Sequence, residues 1–229
     1  MLPEWLLREM KPVTVIVGHY GSGKTNLTVN LALDCVNAGK RVTVVDMDIV
    51  NPYFRVSEQR RLLEEAGIEL VAPVFSEAGT SLDVPSLTGR IMPAIESASD
   101  EHIVLMDVGG DDAGSVAIGR YARAIGAQEH AVWYTANRNR NLVQDLNDAL
   151  ENMAEIEFAL RLSMTGIVNN SHLQDSTTEE VVAQGFEYVS KLAELSGLHV
   201  VCTTVPPELS SVSIDKLYPV QRYVKAPWE

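Results

Sequence analysis

One stretch near the start of the chain carries residue types that bind phosphate. The pattern G-x-x-x-x-G-K-[ST] is met by Gly18-His19-Tyr20-Gly21-Ser22-Gly23-Lys24-Thr25. Its glycines allow positive φ angles and a close backbone approach, so successive N–H groups can turn toward phosphate oxygens. Lys24 supplies a positive charge to the phosphates, and the Thr25 hydroxyl is placed to bind Mg²⁺. We therefore expect residues 18–25, called the P-loop below, and the following Asn26 to contact a nucleotide.

The elements on either side of the P-loop fit this chemistry. Residues 13–17 are an apolar run typical of a buried strand, and the helical pattern from residue 26 places Leu27, Leu31 and Ala38 on one face. A strand, a glycine-rich loop and a helix in this order aim the partial positive charge of the helix N-terminus at the phosphates.

Two acidic residues lie at the end of the second apolar strand, which we expect over residues 41–46. Asp46 and Asp48 are two positions apart, so on an extended chain their side chains point the same way. The carboxyl ends of strands are where doubly wound sheets bind ligands, and two neighbouring carboxylates favour a cation between them. The spacing indicates a role linked to Mg²⁺ for at least one of them.

A further acidic residue, Asp107, ends the apolar run 102–107. A strand that ends in Asp can hold Mg²⁺ through a water molecule opposite Thr25. Gly110 follows three residues later, and its N–H can approach a γ-phosphate and move when that phosphate leaves. We expect Asp111 and Asp112 to be solvated or helix-capping residues.

Several segments allow two interpretations. Residues 51–55 form either a nucleotide-sensing switch or the first turn of a helix. Asn169, at the end of the sixth predicted strand, can read an adenine edge with its amide or serve the turn there. The long loop 75–86 is a candidate binding loop. The tail, 214–229, either wraps the domain or contacts a partner.

The remaining pattern predicts one α/β domain over residues 1–229, with a short helical extension at 1–12. We expect a doubly wound, mainly parallel sheet of about seven to eight strands flanked by helices. Further strands are predicted at 68–74, 129–135, 160–168 and 198–205. Helices are predicted at 57–66, 87–97, 116–126, 141–156 and 177–195, and the fourth of these places Leu142, Leu146, Leu150 and Met153 on one face.

Composition limits the classes of partner. The net charge of −13 argues against a nucleic-acid or anionic-membrane surface, and the densest basic stretch, 137–140, is too short to make one. The sequence shows no apolar run near the ~20 residues of a membrane span and no signal-peptide pattern at its start. Cys35 and Cys202 are predicted to be buried packing residues, and no metal cluster is expected. These features favour a cytoplasmic location.

With these residues placed, the chain resembles the MinD/ParA/CobQ group of P-loop ATPases, in the SIMIBI class. The resemblance covers nearly the whole chain, and Asp-x-Asp after the second strand is its most specific part. The residues that carry it are the P-loop, Val44-Val45-Asp46-Met47-Asp48, Asp107-Val108-Gly109-Gly110, Val168-Asn169 and Val205-Pro206-Pro207-Glu208.

The resemblance implies Mg-ATP binding and slow hydrolysis coupled to a partner, with ADP as product. It implies that Lys24 and Thr25 hold phosphate and metal, and that Asp46 and Asp107 lie in the outer coordination shell of the metal. Asp48 would orient or activate the attacking water. Adenine would be held by Asn169 and by the backbone around Pro206, Pro207 and Glu208. The Asn-Lys-x-Asp pattern that reads guanine is missing, which favours ATP over GTP.

One departure concerns the second position of the P-loop. The MinD/ParA branch has Lys there, which reaches across a nucleotide-sandwiched dimer, whereas this chain has His19, followed by Tyr20 in place of Gly. A homodimer is therefore left open.

Three functions are consistent with these observations. The first is a nucleotide-switched, Mg²⁺-dependent ATPase coupled to a protein partner. The second is an ATP-dependent small-molecule enzyme of the dethiobiotin-synthetase or cobyrinate-amidase kind, with loop 75–86 on the substrate. The third is an adaptor that binds ATP without hydrolysing it. A metal-chaperone GTPase is disfavoured because the sequence has no Cys/His cluster.

Overall fold

A parallel sheet divides the protein into two helical layers in the computed structural model. The structure describes residues 2–48, 55–72, 89–109, 112–141 and 143–225. Within them the sheet has eight strands in the order β3-β2-β4-β1-β5-β6-β7-β8, and neighbouring strands pair in parallel. The strands are β1 Val13–Val17, β2 Arg41–Met47, β3 Glu69–Val71, β4 His102–Val108, β5 His130–Ala136, β6 Gly166–Asn169, β7 Val200–Val205 and β8 Leu217–Pro219.

Helices connect the strands and cover both faces of the sheet. They are α1 Glu4–Glu9, α2 Lys24–Asn37, α3 Arg60–Glu65, α4 Ile91–Glu96, α5 Asp112–Gly119, α6 Ala122–Gly126, α7 Leu146–Leu160 and α8 Glu179–Ser196, with a short 3₁₀ turn at Val56–Gln59 before α3. One core lies between the sheet and α1–α3, and the other between the sheet and α4–α8. In β1, Ile16 faces the first core, while Val15 and Val17 face the second. The central strands are therefore apolar on both faces, as a covered parallel sheet requires.

This architecture confirms the predicted fold class. It also places the P-loop at the end of the central strand β1, which pairs with β4 on one side and with β5 on the other. The carboxyl edge of the sheet at such a point is the general ligand-binding position of open α/β sheets.

Several predicted boundaries differ from the structure, and three of the differences have a clear cause or change the element count. Helix α7 begins at Leu146, not at 141, because the Asp145 side chain caps it by accepting a hydrogen bond from Asn147 N at 2.8 Å. The predicted strand 160–168 is shorter, because α7 continues to Leu160 and Arg161 ends it with φ 58°. The predicted helix 116–126 is two helices, α5 and α6.

The chain termini pack against the domain within the described residues. Leu6 of α1 is buried, and Trp5 packs partly buried against the first core. The tail supplies the edge strand β8, which pairs with β7 and which the sequence pattern did not predict. None of the described helices is long and apolar enough to cross a membrane.

Some predictions fall outside the described residues. They concern most of the switch segment 51–55, the loop 75–86, Gly110, Asp111 and Leu142.

Candidate functional site

The P-loop has backbone angles that only glycine adopts readily. Gly18, Gly21 and Gly23 have φ values of 141°, 73° and 90°. Space is restricted as well, since a Cβ on Gly23 would lie 2.2 Å from Asn170 Nδ2, and one on Gly18 would lie 2.4 Å from the carbonyl oxygen of Thr135. Gly23 immediately precedes α2, so the loop leads directly into the N-terminus of that helix.

Lys24 is the first residue of α2, and its side chain is held over the loop. Its Nζ donates hydrogen bonds to the carbonyl oxygens of Gly18 at 2.9 Å and His19 at 3.1 Å. The residue is mostly buried and lines the cavity described below. The loop's own backbone therefore fixes a positive charge where the sequence predicts phosphate.

Thr25 is joined to the end of β4. Its hydroxyl donates to Asp107 Oδ2 at 2.7 Å, and the Thr28 hydroxyl lies 3.5 Å from Asp107 Oδ1. Asp46 lies directly opposite Asp107 in the register of β2 against β4. The sheet thus brings the acidic ends of two strands against the first turn of α2.

Asp46 also organises the chain that follows β2. Its Oδ1 accepts a hydrogen bond from Asp48 N at 3.0 Å, and its Oδ2 accepts one from Ser57 N at 3.1 Å. Asp48 is buried, lines the cavity, and lies against Gly109, where a Cβ would be 3.2 Å from Asp48 Oδ1. The connections that leave β2 and β4 are therefore in contact.

Burial makes this acidic pair costly. Burial first, and then the charge of Asp46, raises the pKa of Asp107 to about 8, while the Thr25 hydrogen bond opposes the shift. Burial likewise raises the pKa of Asp46 against hydrogen bonds from Ser57 and Asp48. A cation beside these groups would favour their charged forms.

The donor set suits Mg²⁺ bound together with a phosphate ligand. Hydroxyl and carboxylate oxygens from Thr25, Asp46, Asp48 and Asp107 are the hard ligands that this ion prefers. No group of three acidic, His or Cys side chains in the described part of the chain could hold a metal by itself. That is compatible with Mg²⁺, which usually takes one or two protein ligands and completes its shell with phosphates and water.

A cavity of about 560 Å³ runs from the P-loop toward the end of β7. It is lined by Tyr20, Gly21, Gly23, Lys24, Thr25, Asn26, Asp48, Arg140, Asn170, His172, Gln174, Asp175, Thr177, Thr204, Val205, Pro206, Pro207, Glu208, Val220, Gln221, Arg222 and Val224. Most of the predicted nucleotide contacts therefore line this one cavity.

Four of the predicted nucleotide contacts in the described part of the chain do not line the cavity. Gly18 lies within the loop, and Ser22 is buried. The Nδ1 atom of His19 lies 3.0 Å from the carbonyl oxygen of Tyr20. Asn169 is buried, with its Oδ1 accepting from Ser171 N at 3.2 Å and its Nδ2 donating to Thr203 Oγ1 at 3.4 Å.

The next residue, Asn170, connects the P-loop to the neighbouring strands. Its Nδ2 donates to the Ser22 carbonyl oxygen at 2.6 Å, and its Oδ1 accepts from the Thr204 hydroxyl of β7. Both ends of this amide are used, so Asn170 fixes the position of the loop. A contact of Asn169 with adenine stays a prediction.

Sequence reasoning missed Arg140 and His172 as site residues. Arg140 lies beside the P-loop, where a Cβ on Gly21 would be 3.2 Å from its Nε. His172 Nδ1 accepts from Gln174 N at 3.2 Å, while burial and the charges of Arg140 and Arg222 lower its pKa to about 4. Both residues follow the ends of strands, β5 and β6, that point at the P-loop edge, and that position was the available signal.

The tail closes another side of the cavity. Asn26 Oδ1 accepts from Tyr223 N at 2.9 Å and Val224 N at 3.2 Å, and Asn26 Nδ2 donates to the Gln221 carbonyl at 3.0 Å. Asn30 Oδ1 accepts from Gln221 N at 2.8 Å. The predicted nucleotide-binding residue Asn26 thus holds the chain's last described segment.

Comparison with known proteins gives matches of two kinds. Residues 13–205 match the CobQ/CobB/MinD/ParA nucleotide binding domain. No curated protein matches the chain. Among solved structures, the signal recognition particle 54 kDa protein from Aeropyrum pernix K1, in complex with GDP, has a TM-score of 0.50 at 20% identity over 83% of this chain and 40% of that one.

Two FtsY structures are similar to the same degree. FtsY from Mycoplasma mycoides has a TM-score of 0.55 at 16% identity, over 85% of this chain and 60% of that one. The cell division protein FtsY from Thermotoga maritima has a TM-score of 0.50 at 19% identity, over 89% of this chain and 68% of that one. At these identities the likeness shows the fold alone, and this chain covers less than two thirds of the first two proteins.

Proposed function

Because the chain belongs to the CobQ/CobB/MinD/ParA family of nucleotide-binding domains, we propose that it binds ATP with Mg²⁺ and hydrolyses it slowly, as a switch read by a protein partner. The observation that carries this proposal is the hydrogen bond of 2.7 Å between Thr25 Oγ1 and Asp107 Oδ2, with Asp46 in register beside it. It joins a phosphate-binding loop to the acidic ends of two strands, as metal-assisted phosphate chemistry requires.

Each residue has a distinct part in the proposed reaction. Lys24 and the loop N–H groups stabilise the charge that develops on the phosphates, and Asp48 orients the attacking water. Thr25 would bind the metal, and Asp46 and Asp107 would hold it from the outer shell. Bound Mg²⁺ would neutralise charge on the phosphate oxygens. The water attacks the terminal phosphorus in line, and the bond to the ADP oxygen breaks.

The base preference is proposed from the end of β6. Asn169 is followed by Asn170, Ser171 and His172, so no Asp stands where a guanine-reading pattern would place one. The structural relative from Aeropyrum pernix is in complex with GDP. Direct comparison of ATP with GTP is therefore part of the test.

Contact between two strand-end connections supports the switch. Asp48 follows β2, Gly109 follows β4, and the two are adjacent. A terminal phosphate held near Asp48 would therefore lie close to both connections, and its release would let them move. Helix α5 begins at Asp112, three positions after Gly109, and exposes Val116 near its middle to solvent.

The proposal includes a cytoplasmic location, because Cys35 and Cys202 are buried free thiols. A homodimer is compatible with it.

Replacement of Lys24 tests the proposal. Lys24→Ala removes a charged hydrogen-bond donor, so we expect ATP affinity to fall about 10- to 100-fold and phosphate release to stop. Titration calorimetry and a phosphate-release assay measure the two effects. Lys191→Ala, which removes an exposed lysine paired with Glu187 on α8, is the matched control and should change neither. Equal affinity and turnover in Lys24→Ala and wild type would refute the assignment.

A further inference from the structure

Unsatisfied buried polar atoms gather on one side of the P-loop. Among the described residues, five buried side-chain atoms have no hydrogen-bond partner: Ser22 Oγ, Thr135 Oγ1, Asn137 Nδ2, Asn139 Nδ2 and Arg140 Nε. The first belongs to the P-loop, and the other four belong to the end of β5 and the turn after it. Buried polar groups without partners are rare and costly, so their concentration at one place calls for a ligand or water there.

The turn after β5 lies against the loop. At Gly18, a Cβ would meet the Thr135 carbonyl at 2.4 Å and Ser22 Oγ at 3.2 Å. At Gly21, it would meet Arg140 Nε at 3.2 Å and Cζ at 3.3 Å. The Arg140 guanidinium therefore lies at the middle of the P-loop, opposite the side on which Asp107 approaches Thr25.

Other arginines near this edge are engaged elsewhere. Arg222 lines the cavity and forms an ion pair with Asp175 at 2.9 Å. Arg138 donates to the Gln184 carbonyl at 3.3 Å and is not among the lining residues. Arg140 lines the cavity with its Nε–H unpaired among the described residues.

The charge around the loop leaves room for a second cation. Besides the proposed Mg²⁺, Lys24 supplies one positive charge from the protein, whereas a nucleoside triphosphate carries several negative ones. His172 adds none at neutral pH, because burial and the charges of Arg140 and Arg222 lower its pKa to about 4. A guanidinium is suited to this position, since its planar N–H donors match pairs of phosphate oxygens.

We propose that Arg140 is a second cationic ligand of the nucleotide's phosphates, contributed by the same chain as Lys24. This inference rests on the proposed function, because it needs a nucleotide in the cavity. It assigns the turn after β5 to phosphate recognition, so the loop would be contacted by Asp107 through Thr25 on one side and by Arg140 on the other.

Affinities of nucleotides with one, two and three phosphates test the inference. Arg140→Ala should lower ATP affinity about 10- to 100-fold, lower ADP affinity less, and leave AMP affinity within about 2-fold, because the lost contacts are charge-assisted and lie on phosphates. Arg140→Lys should recover part of the loss, since it keeps the charge without the fork. Arg138→Ala is the control two residues away and should match wild type. Titration calorimetry with Mg²⁺ at constant ionic strength measures all of these.

Other outcomes separate this inference from the function on which it rests. If wild type binds ATP and Arg140→Ala binds it with the same affinity, the role of Arg140 is refuted and the proposed function is not. An equal loss for AMP, ADP and ATP, or a loss matched by a lower unfolding midpoint without nucleotide, shows a structural role and refutes it as well. Failure of wild type to bind any nucleotide refutes the proposed function and this inference together. If Arg140→Ala does not fold, Arg140→Gln, which keeps polar side-chain volume without charge, gives the same comparison.

Discussion

At the scale of the residue, the most costly feature of the site is a pair of buried acids. Asp46 and Asp107 lie side by side in register on the paired strands β2 and β4, and burial raises the pKa of both. A fold selected for stability alone would place apolar residues at these strand ends, as it does at most other positions of β2 and β4. The cost is consistent with a cation that binds only with its phosphate ligand.

The variant Asp107→Asn should therefore raise the stability of the protein while it weakens Mg²⁺ binding. The folded-state pKa of about 8 lies above the unfolded value, so the charged form destabilises the native state at high pH, and that cost fades as pH falls toward 4. We expect the variant to be more stable than wild type by about 1–3 kcal/mol at pH 8 without nucleotide, with a smaller difference at pH 5.5. Urea denaturation at both pH values measures this difference.

The same variant should lose the Mg²⁺-dependent part of ATP binding. Asp100→Asn, at an exposed position, controls for the loss of one negative charge. Lower stability of Asp107→Asn at pH 8, or unchanged Mg²⁺ dependence, would contradict this account of the acidic pair.

At the scale of the element, the strands that carry the site could be predicted from sequence, whereas several boundaries could not. Burial on both faces makes β1, β2 and β4 mostly apolar, and Asp46 and Asp107 stand at the ends of two of these strands. The apolar run around Leu160 fits a strand and a helix equally over so few residues, and only the left-handed Arg161 decides between them.

Other elements depend on partners that are distant in sequence. The edge strand β8 is three residues long and ends in Pro219, so no periodic pattern marks it. Its position is fixed by pairing with β7 and by the bonds of the following residues to Asn26 and Asn30. Asn170 likewise reaches Ser22 across 148 positions of sequence. The position of Arg140 after a predicted strand end marks it in the sequence as a candidate site residue. Only the structure shows that its Nε has no partner among the described residues.

Gly185 in α8 packs closely against the turn whose Asn170 holds the P-loop. A Cβ there would lie 2.4 Å from Ser171 Cβ and 3.0 Å from Asn169 Oδ1, in the turn that carries Asn170. Gly185→Ala should push this turn, weaken the bond of Asn170 to the P-loop, destabilise the fold by about 1–3 kcal/mol and reduce ATP affinity. Chemical denaturation and titration calorimetry measure the two effects.

Gly126→Ala provides the matched control, because nothing lies within 4 Å of its added Cβ. We expect that change to be neutral or slightly stabilising, since Ala favours helix more than Gly does. If Gly185→Ala behaved like Gly126→Ala, the proposed coupling between α8 and the loop would be wrong.

At the scale of the whole molecule, the strand order gathers the site from distant parts of the sequence. Parts of the chain that are distant in sequence meet at one edge of the sheet: the loop after β1, the acids at the ends of β2 and β4, Arg140 after β5, Asn170 after β6 and the tail after β8. A ligand there would contact connections from most of the sheet. Its binding energy should therefore appear as stability of the entire fold, not of one segment.

ATP and Mg²⁺ should stabilise the protein jointly. Ligand at 100 times its Kd adds about 2.7 kcal/mol to the free energy of unfolding, which corresponds to a rise of about 5 to 10 °C in the thermal midpoint for a chain of this length. Because the proposed metal site uses both protein and phosphate oxygens, the rise with both ligands should exceed the sum of the rises with each alone. EDTA should remove the excess, and GTP at the same concentration should give a smaller rise than ATP. Scanning calorimetry with ATP, GTP, Mg²⁺ and their combinations measures these shifts.

Additive shifts would show that metal and nucleotide bind independently, and a larger shift with GTP would overturn the proposed base preference while leaving the phosphate site intact.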